Sequence, residues 1–263
     1  MAFQPSNETV KYEVKDRVAW IGLNRPQNMN ALNYYIRQAI GESIIDAARD
    51  DDVLVAILYG EGGRAFCAGN DLKEMADADS RGEAARRGYT GGPEVYACPK
   101  PVIAAIDGWC LAGGMQLSAR CDIRVATEKS RFGMPEARRS LTPVGTEDTP
   151  ERFWPEGEAL YILLTGTNQV TAERAYQLGF IQSIVPDRDA LFVEAQRIAD
   201  EIKMCAPLAV QTLKYVAKIG RHYPIEVAKN LGHDLRHKTS ISEDRLEGPK
   251  AFAEKRAPVW KGR

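Results

Sequence analysis

The sequence predicts an α/β fold, and three observations carry that prediction. β-rich runs alternate with helix-periodic runs through the first two thirds of the chain. Two of the β-rich runs pass into glycine-bearing turns, and one of these turns opens a helix. From about residue 190 to the end the pattern is helical throughout. The order strand, helix, strand, helix implies a core with some parallel pairing.

The elements follow in order. Residues 10–24 alternate and end in VAWIGLNRP, which reads as a two-stranded hairpin closed by Asn24-Arg25-Pro26. Leu32, Ile36, Ile40, Ile44 and Ala48 recur at four-residue steps and predict a helix over 31–49 with one buried face. Val53 to Leu58 is a short β-rich run that ends in the turn-forming Gly60-Glu61-Gly62-Gly63. Residues 76–96 are charged and rich in glycine without a clear period, and read as a mobile loop or a marginal helix beside a pocket. Val102 to Ile106 is a buried strand ending at Asp107-Gly108. A Gly-Gly step then opens a helix near residue 113, and Asp122 to Ala126 is again a strand. Pro207 and Pro224 mark helix starts in the C-terminal part. The chain divides into a core over 1–195 and a helical region over 196–263.

Composition narrows the function classes. A length of 263 residues suits one large domain or one domain with a small appendage. With 35 basic and 36 acidic residues the net charge is -1, so no charge field points to nucleic acid or to a membrane surface. No apolar run approaches the length of a membrane span, and the start MAFQPSNETV lacks the basic and apolar regions of a signal peptide. Five cysteines, an odd number with no C-x-x-C pair, argue against a disulfide framework or a zinc site and fit reduced thiols in the cytoplasm. His233 and His237 have the spacing of one helix face, but no H-E-x-x-H accompanies them, so they read as surface histidines and no metal is expected. The dinucleotide fingerprint G-x-G-x-x-G, the nucleophile elbow G-x-S-x-G and the P-loop are all missing.

The chemistry concentrates in two segments. One is Arg64 to Leu72, with Ala68-Gly69-Asn70-Asp71 at its centre; the other is Lys100 to Asp122, with Leu111-Ala112-Gly113-Gly114-Met115-Gln116. Each puts small residues and glycine just after a β-rich run, where backbone can approach a ligand closely. Free N–H groups at a helix start suit a developing negative charge, and two aimed at one point would form an oxyanion hole.

AFCAGNDL, KPVIAAIDGWCLAGGMQLSARCDI and FGMPEA, with Asn24-Arg25-Pro26 and Asn30-Ala31-Leu32 before them and Glu247 to Arg256 after, occur in one order along the chain. Together they resemble the crotonase superfamily, the enoyl-CoA hydratase/isomerase family, nearly end to end. The resemblance implies a crotonase fold, a spiral of repeated β-β-α units with a C-terminal helical trimerisation region, and hence a homotrimer or a dimer of trimers. It implies an acyl-CoA substrate, with CoA arriving as part of the thioester and no separate cofactor. The oxyanion N–H groups fall on Asn70 and Gly113. Ala68, Asp71 and Leu72 lie beside the first of these as substrate-binding positions, and Asp71 is also placed to cap the next helix. Phe252 and Lys255 match a region that borders the CoA nucleotide.

The family's hydratases use two glutamates around one water. The second falls on Glu136; the first falls on Gln116, which cannot ionise. Gln116 lies three residues beyond Gly113, so a helix puts both on one face. It is expected to orient water or the acyl group, while Glu136 carries the proton. Both double-bond isomerisation, which needs one base, and hydration are open, as are hydrolysis or decarboxylation of a CoA thioester and a catalytically impaired acyl-CoA-binding protein. After Glu136 the chain also departs from the hydratase pattern. Arg138 or Arg139 could pair with a carboxylated acyl group, although an ion pair between subunits or a solvated face is preferred. Glu147, Asp148 and Glu151 are candidates for a relocated second acid.

Overall fold

The computed structural model describes residues 3–80, 91–142, 153–220 and 222–263. Strands β1 (Val10–Lys15) and β2 (Val18–Leu23) form an antiparallel hairpin. Its turn is Asp16-Arg17, both at positive φ (48° and 64°), and not the Asn24-Arg25-Pro26 expected from sequence. Two-residue hairpin turns need positive φ at both central positions, and Asp-Arg carries a weak signal for that compared with Asn-Gly.

Helix α1 (Tyr34–Arg49) starts three residues later than its apolar spacing predicts. Asn33 ends the extended segment and accepts a hydrogen bond from the Ile36 N–H with its side chain (3.0 Å), so it is the N-cap. Leu32, which fits the helical period, instead bridges to Asn70 in extended form.

From there the chain repeats a strand-strand-helix unit. β3 (Val55–Gly60), β4 (Ala65–Cys67) and α2 (Leu72–Ser80) form one unit; α3 (Gly92–Ala97) follows. β5 (Val102–Ile106), β6 (Trp109–Leu111) and α4 (Gly113–Arg120) form the next. β7 (Ile123–Thr127) and β8 (Arg131–Gly133) lead through a 3-10 turn, Pro135–Arg139, toward α5 (Glu156–Thr165). The first strand of each unit joins a six-stranded sheet of order β1-β2-β3-β5-β7-β10, parallel apart from the hairpin. The second joins a four-stranded sheet of order β4-β6-β8-β9, whose first three strands are parallel. β9 is Val170–Thr171, followed by α6 (Ala172–Gln177) and β10 (Ser183–Val185).

Parallel strands buried on both faces read as continuous apolar runs, which is the pattern of VIAAI in β5. The large sheet separates two cores. One gathers Ile21, Leu23, Ile36, Ile40, Leu58 and Phe66 with the small sheet and α1. The other packs Val55, Ile57, Ile103 and Val125 against Leu191, Ala195 and Ile198 of α7 (Arg188–Lys203). Helices α8 (Pro207–Gly220), α9 (Ile225–Ser240) and α10 (Asp244–Ala253) complete the chain, with Pro207 opening α8 and Pro224 preceding α9 as the sequence predicts. Lys214 and Lys218 of α8 bind the Asp122 carboxylate (2.6 and 3.0 Å), which fastens α8 to the core. The charged stretch 76–96 is helical at both described ends, in α2 and α3; its residues 81–90 lie outside the described residues.

Candidate active site

Register places the site. Cys67 of β4 pairs with Cys110 of β6, and Leu111 of β6 pairs with Gly133 of β8. The three short strands therefore end side by side. Asn70 follows β4 by three residues, Gly113 follows β6 by two and Glu136 follows β8 by three. The carboxyl ends of parallel strands are where open α/β sheets bind ligands.

Backbone bonds fix these turns. The Leu32 N–H donates to the Gly69 carbonyl (2.8 Å) and the Asp71 N–H to the Leu32 carbonyl (3.0 Å). Ala68 N–H donates to the Met29 carbonyl (3.0 Å), and Ala112 N–H to the Gly133 carbonyl (2.8 Å). The N–H groups of Asn70 and Gly113 take no part in this lacing among the described residues. Gly113 is the first residue of α4, so its N–H has no partner within the helix.

Close approach explains the glycines. Gly69 has φ +99°, and a Cβ there would lie 2.7 Å from the Ala112 Cβ and 3.4 Å from the Gly113 nitrogen. A Cβ on Gly114 would lie 2.2 Å from the Cys67 carbonyl oxygen. The two donor-bearing turns are thus packed backbone to backbone. Ala112, the N-cap of α4, holds φ 51° and ψ -125°, a conformation that non-glycine residues seldom adopt.

Asp71 is committed to the fold. Its Oδ1 accepts from the Lys73 and Glu74 N–H groups (3.2 and 3.4 Å), the capping expected from sequence, and its Oδ2 pairs with Arg25 at 2.9 Å. Leu72 is exposed at the start of α2. The Asn70 side chain reaches across: its Oδ1 would meet a Gly113 Cβ at 2.9 Å, and it accepts a hydrogen bond from Arg37 Nη2.

Glu136 lies in the turn after β8, held by the Met134 N–H to Thr167 carbonyl bond (3.1 Å) and the Leu141 N–H to Glu136 carbonyl bond (3.1 Å). Its Oε2 is buried with no hydrogen-bond partner. Burial pushes the carboxyl above the usual carboxylate range, opposed by its own backbone N–H. A carboxyl with a buried, unsatisfied oxygen and a raised pKa has the character of a group that can carry a proton. Gln116 lies one turn into α4, its N–H donating to the Ala112 carbonyl (3.0 Å). It shares a helix face with Gly113, as its spacing predicts.

Other expected residues lie elsewhere. Phe252 lies in the last turn of α10 and Lys255 two residues past its end; Phe252 is 87% exposed, which removes it from any helix core within the chain. Arg138 donates through Nε to the Thr165 carbonyl at the end of α5 (2.9 Å), and Arg139 is exposed. Glu147, Asp148 and Glu151 lie outside the described residues. His233 and His237 are exposed on α9, and no group of three potential metal ligands occurs among the described residues. Burial pushes the Cys67 thiol, at the end of β4, up to about 11, so it is a packing residue and not a thiolate. Sequence reasoning missed Arg37. A basic residue beside Ile36 on an amphipathic helix reads as solvated, and only the Leu32–Asn70 bridge brings that face of α1 to the site.

The comparisons agree with this geometry. The sequence profile of the enoyl-CoA hydratase/isomerase family matches residues 13–263. The chain is 36% identical over 257 residues to (E)-benzylidenesuccinyl-CoA hydratase of Thauera aromatica, covering 96% of this chain and 99% of that one. It is 35% identical over 250 residues to carnitinyl-CoA dehydratase of Salmonella typhi, covering 92% and 94%. Among solved structures, an enoyl-CoA hydratase from Bacillus anthracis superposes with TM-score 0.91 at 31% identity over 97% of this chain and all of that one. An enoyl-CoA hydratase/isomerase from Mycobacterium paratuberculosis superposes with TM-score 0.89 at 34% identity, covering 97% and 99%. With the spiral of strand-strand-helix units and the two glycine turns in register, the chain belongs to the enoyl-CoA hydratase/isomerase family of the crotonase superfamily, enzymes acting on CoA thioesters.

Proposed function

We propose that the protein adds water reversibly to the double bond of a 2-enoyl-CoA, with Glu136 as its proton carrier. The observation that supports this reading best is the buried, unpartnered Glu136 Oε2 beside two adjacent turns whose Asn70 and Gly113 N–H groups have no backbone partner among the described residues. The Asn70 and Gly113 N–H groups hold the thioester oxygen, which becomes an oxyanion as the reaction proceeds. Gln116 donates and accepts hydrogen bonds and so orients water against the β-carbon. Water attacks that carbon, Glu136 takes its proton, and the electron pair moves to the thioester oxygen as an enolate. Glu136 then returns the proton to the α-carbon. The product gains one water, and the carboxylate is regenerated.

Deprotonation beside a thioester is feasible because the enolate oxygen is met by preorganised dipoles. Neither step needs a metal or a redox group. CoA enters as the handle of the substrate, and the Phe252–Lys255 region contacts it. A second reading, migration of the double bond, is favoured by one residue: Gln116 cannot ionise, and a 1,3 proton shift needs only Glu136.

We also place the protein in the cytoplasm as an assembly of several copies. No described helix is long and apolar enough to cross a membrane. Leu213, Ile225, Ile241, Leu246 and Phe252 are exposed apolar residues on and between α8, α9 and α10. Apolar exposure on that scale suits an interface with further copies of the chain, a trimer or a dimer of trimers.

Incubation with a 2-enoyl-CoA and, separately, the matching 3-enoyl-CoA tests the reaction. Loss of conjugated-thioester absorbance with a mass gain of one water supports hydration. Gain of conjugation at constant mass from the 3-enoyl substrate alone would replace hydration by isomerisation. Silence with both would remove either reading.

A further inference from the structure

Three facts meet at the wall of the oxyanion turn. First, Arg37 lies one turn into α1, half-buried, and its guanidinium donates to the Asn70 side-chain oxygen, which itself borders Gly113. That partner is a neutral amide; among the described residues Arg37 makes no ion pair. Of the described acids on neighbouring elements, Glu74 accepts from the Tyr34 N–H (3.1 Å) and Glu94 accepts from the Gly91 N–H. Second, another guanidinium packs close to α1. A Cβ on Gly92 would fall 1.5 Å from Arg120 Nη1, while a Cβ on Gly91 would fall 2.7 Å from the Arg37 carbonyl oxygen. The Gly91-Gly92 step therefore packs against the Arg37 backbone through one glycine and the Arg120 guanidinium through the other. Third, the two cations feel each other. Burial lowers the Arg37 pKa most; among the neighbouring groups Cys67 and Glu74 raise it and Arg120 lowers it.

A half-buried cation with a neutral partner and a like-charged neighbour is costly unless an anion completes it. An oxyanion at Asn70 and Gly113 is already met by backbone. A planar guanidinium recognises carboxylate in two-pronged fashion. Building on the acyl-CoA reading above, we infer that Arg37, with Arg120 behind it, binds a carboxylate carried by the acyl group, so that the substrate class is a carboxyl-bearing enoyl-CoA. The role that the sequence offered to Arg138 or Arg139 then belongs to α1 and α4.

The test compares glutaryl-CoA with valeryl-CoA, saturated ligands that differ in a terminal carboxylate, by calorimetric titration of the intact protein. The wild type is expected to bind glutaryl-CoA about 10- to 100-fold more tightly, the range of one charge-assisted pairing. Arg37→Gln keeps a donor for the Asn70 oxygen but removes the charge, and is expected to erase that ratio. Arg120→Met is expected to reduce it. Raised salt shrinks the wild-type ratio. Equal affinity for the two ligands in the wild type, or an unchanged ratio in folded Arg37→Gln, overturns the inference and leaves the acyl-CoA reading intact. Failure to bind either ligand overturns the acyl-CoA reading and the inference with it.

Discussion

At the scale of single residues, the proposed reaction turns on Glu136. Burial raises its pKa, so the carboxylate is formed only above the usual glutamate range. As a base it works when ionised; hence the acid limb of kcat/KM falls at a higher pH than free glutamate would give, and Glu136→Gln removes that limb. The sign for stability is opposite. A carboxyl with a raised folded pKa favours the fold while protonated, and loses that advantage as pH rises from its unfolded to its folded pKa. Above that window Glu136→Gln is therefore expected to melt no lower than the wild type, checked by thermal unfolding at neutral pH. Gln116→Glu would put a second carboxyl on the face of α4 that carries Gly113, and a like charge close to Glu136 moves its pKa further up. The pH profile of that variant is expected to shift upward against the wild type. Gln116→Ala, which removes only hydrogen bonds, is expected to cost about 10-fold in turnover. The identities of Asn70, Gly113, Gln116 and Glu136 could be named from sequence because each falls in a contiguous motif. Arg37 and Arg120 could not, since Arg37 reaches Asn70 only through the bridge between residues 32 and 70, and Arg120 packs close to α1 only through the glycine step at 91–92.

Among the elements, the three short parallel strands of the small sheet matter most, because their common ending brings three separate turns together. The packing of those turns leaves no room for a methyl group at Gly114, 2.2 Å from the Cys67 carbonyl oxygen. Gly114→Ala is expected to lower stability by about 1–3 kcal/mol, as overpacking of buried sites does, and to cost activity because the Gly113 N–H shifts with it. Chemical denaturation reads the first effect. Helix α1 rests on the Asn33 cap, and Asn33→Ala is expected to cost about 1 kcal/mol. The strands of the large sheet were legible from apolar runs, and α4 from its Gly-Gly opening. The hairpin turn was not, since positive φ at Asp16-Arg17 has no strong residue signature. Nor was the true start of α1: Leu32 satisfies the helical period although Asn33 and the bridge to Asn70 hold it extended. Periodicity reports burial, and a buried extended residue next to a helix contributes to it equally.

At the scale of the molecule, the spiral core and the C-terminal helices have different characters. The core buries large side chains such as Phe66, Phe132 and Phe180 completely, while α8 to α10 leave Leu213, Leu246 and Phe252 largely exposed. The helical region is legible in the sequence, but what its exposed apolar positions face is not, because apolar positions on a helix look alike whether they face the same chain, another copy or solvent. Sedimentation is expected to show a trimer or hexamer. Leu246→Asp, 76% exposed and thus tolerated by the single chain, is expected to shift the distribution toward monomer without loss of helix content. A wild-type monomer at micromolar concentration would contradict the assembly.

The measurement that reaches the central claim most directly is turnover of a 2-enoyl-CoA by the wild type and Glu136→Gln side by side, with substrate binding followed in both. The wild type is expected to add one water, and the variant to bind the thioester with similar affinity while turning it over about 10²- to 10⁴-fold more slowly. Wild-type rates in Glu136→Gln would contradict it, and would move the proton to another group in the cleft.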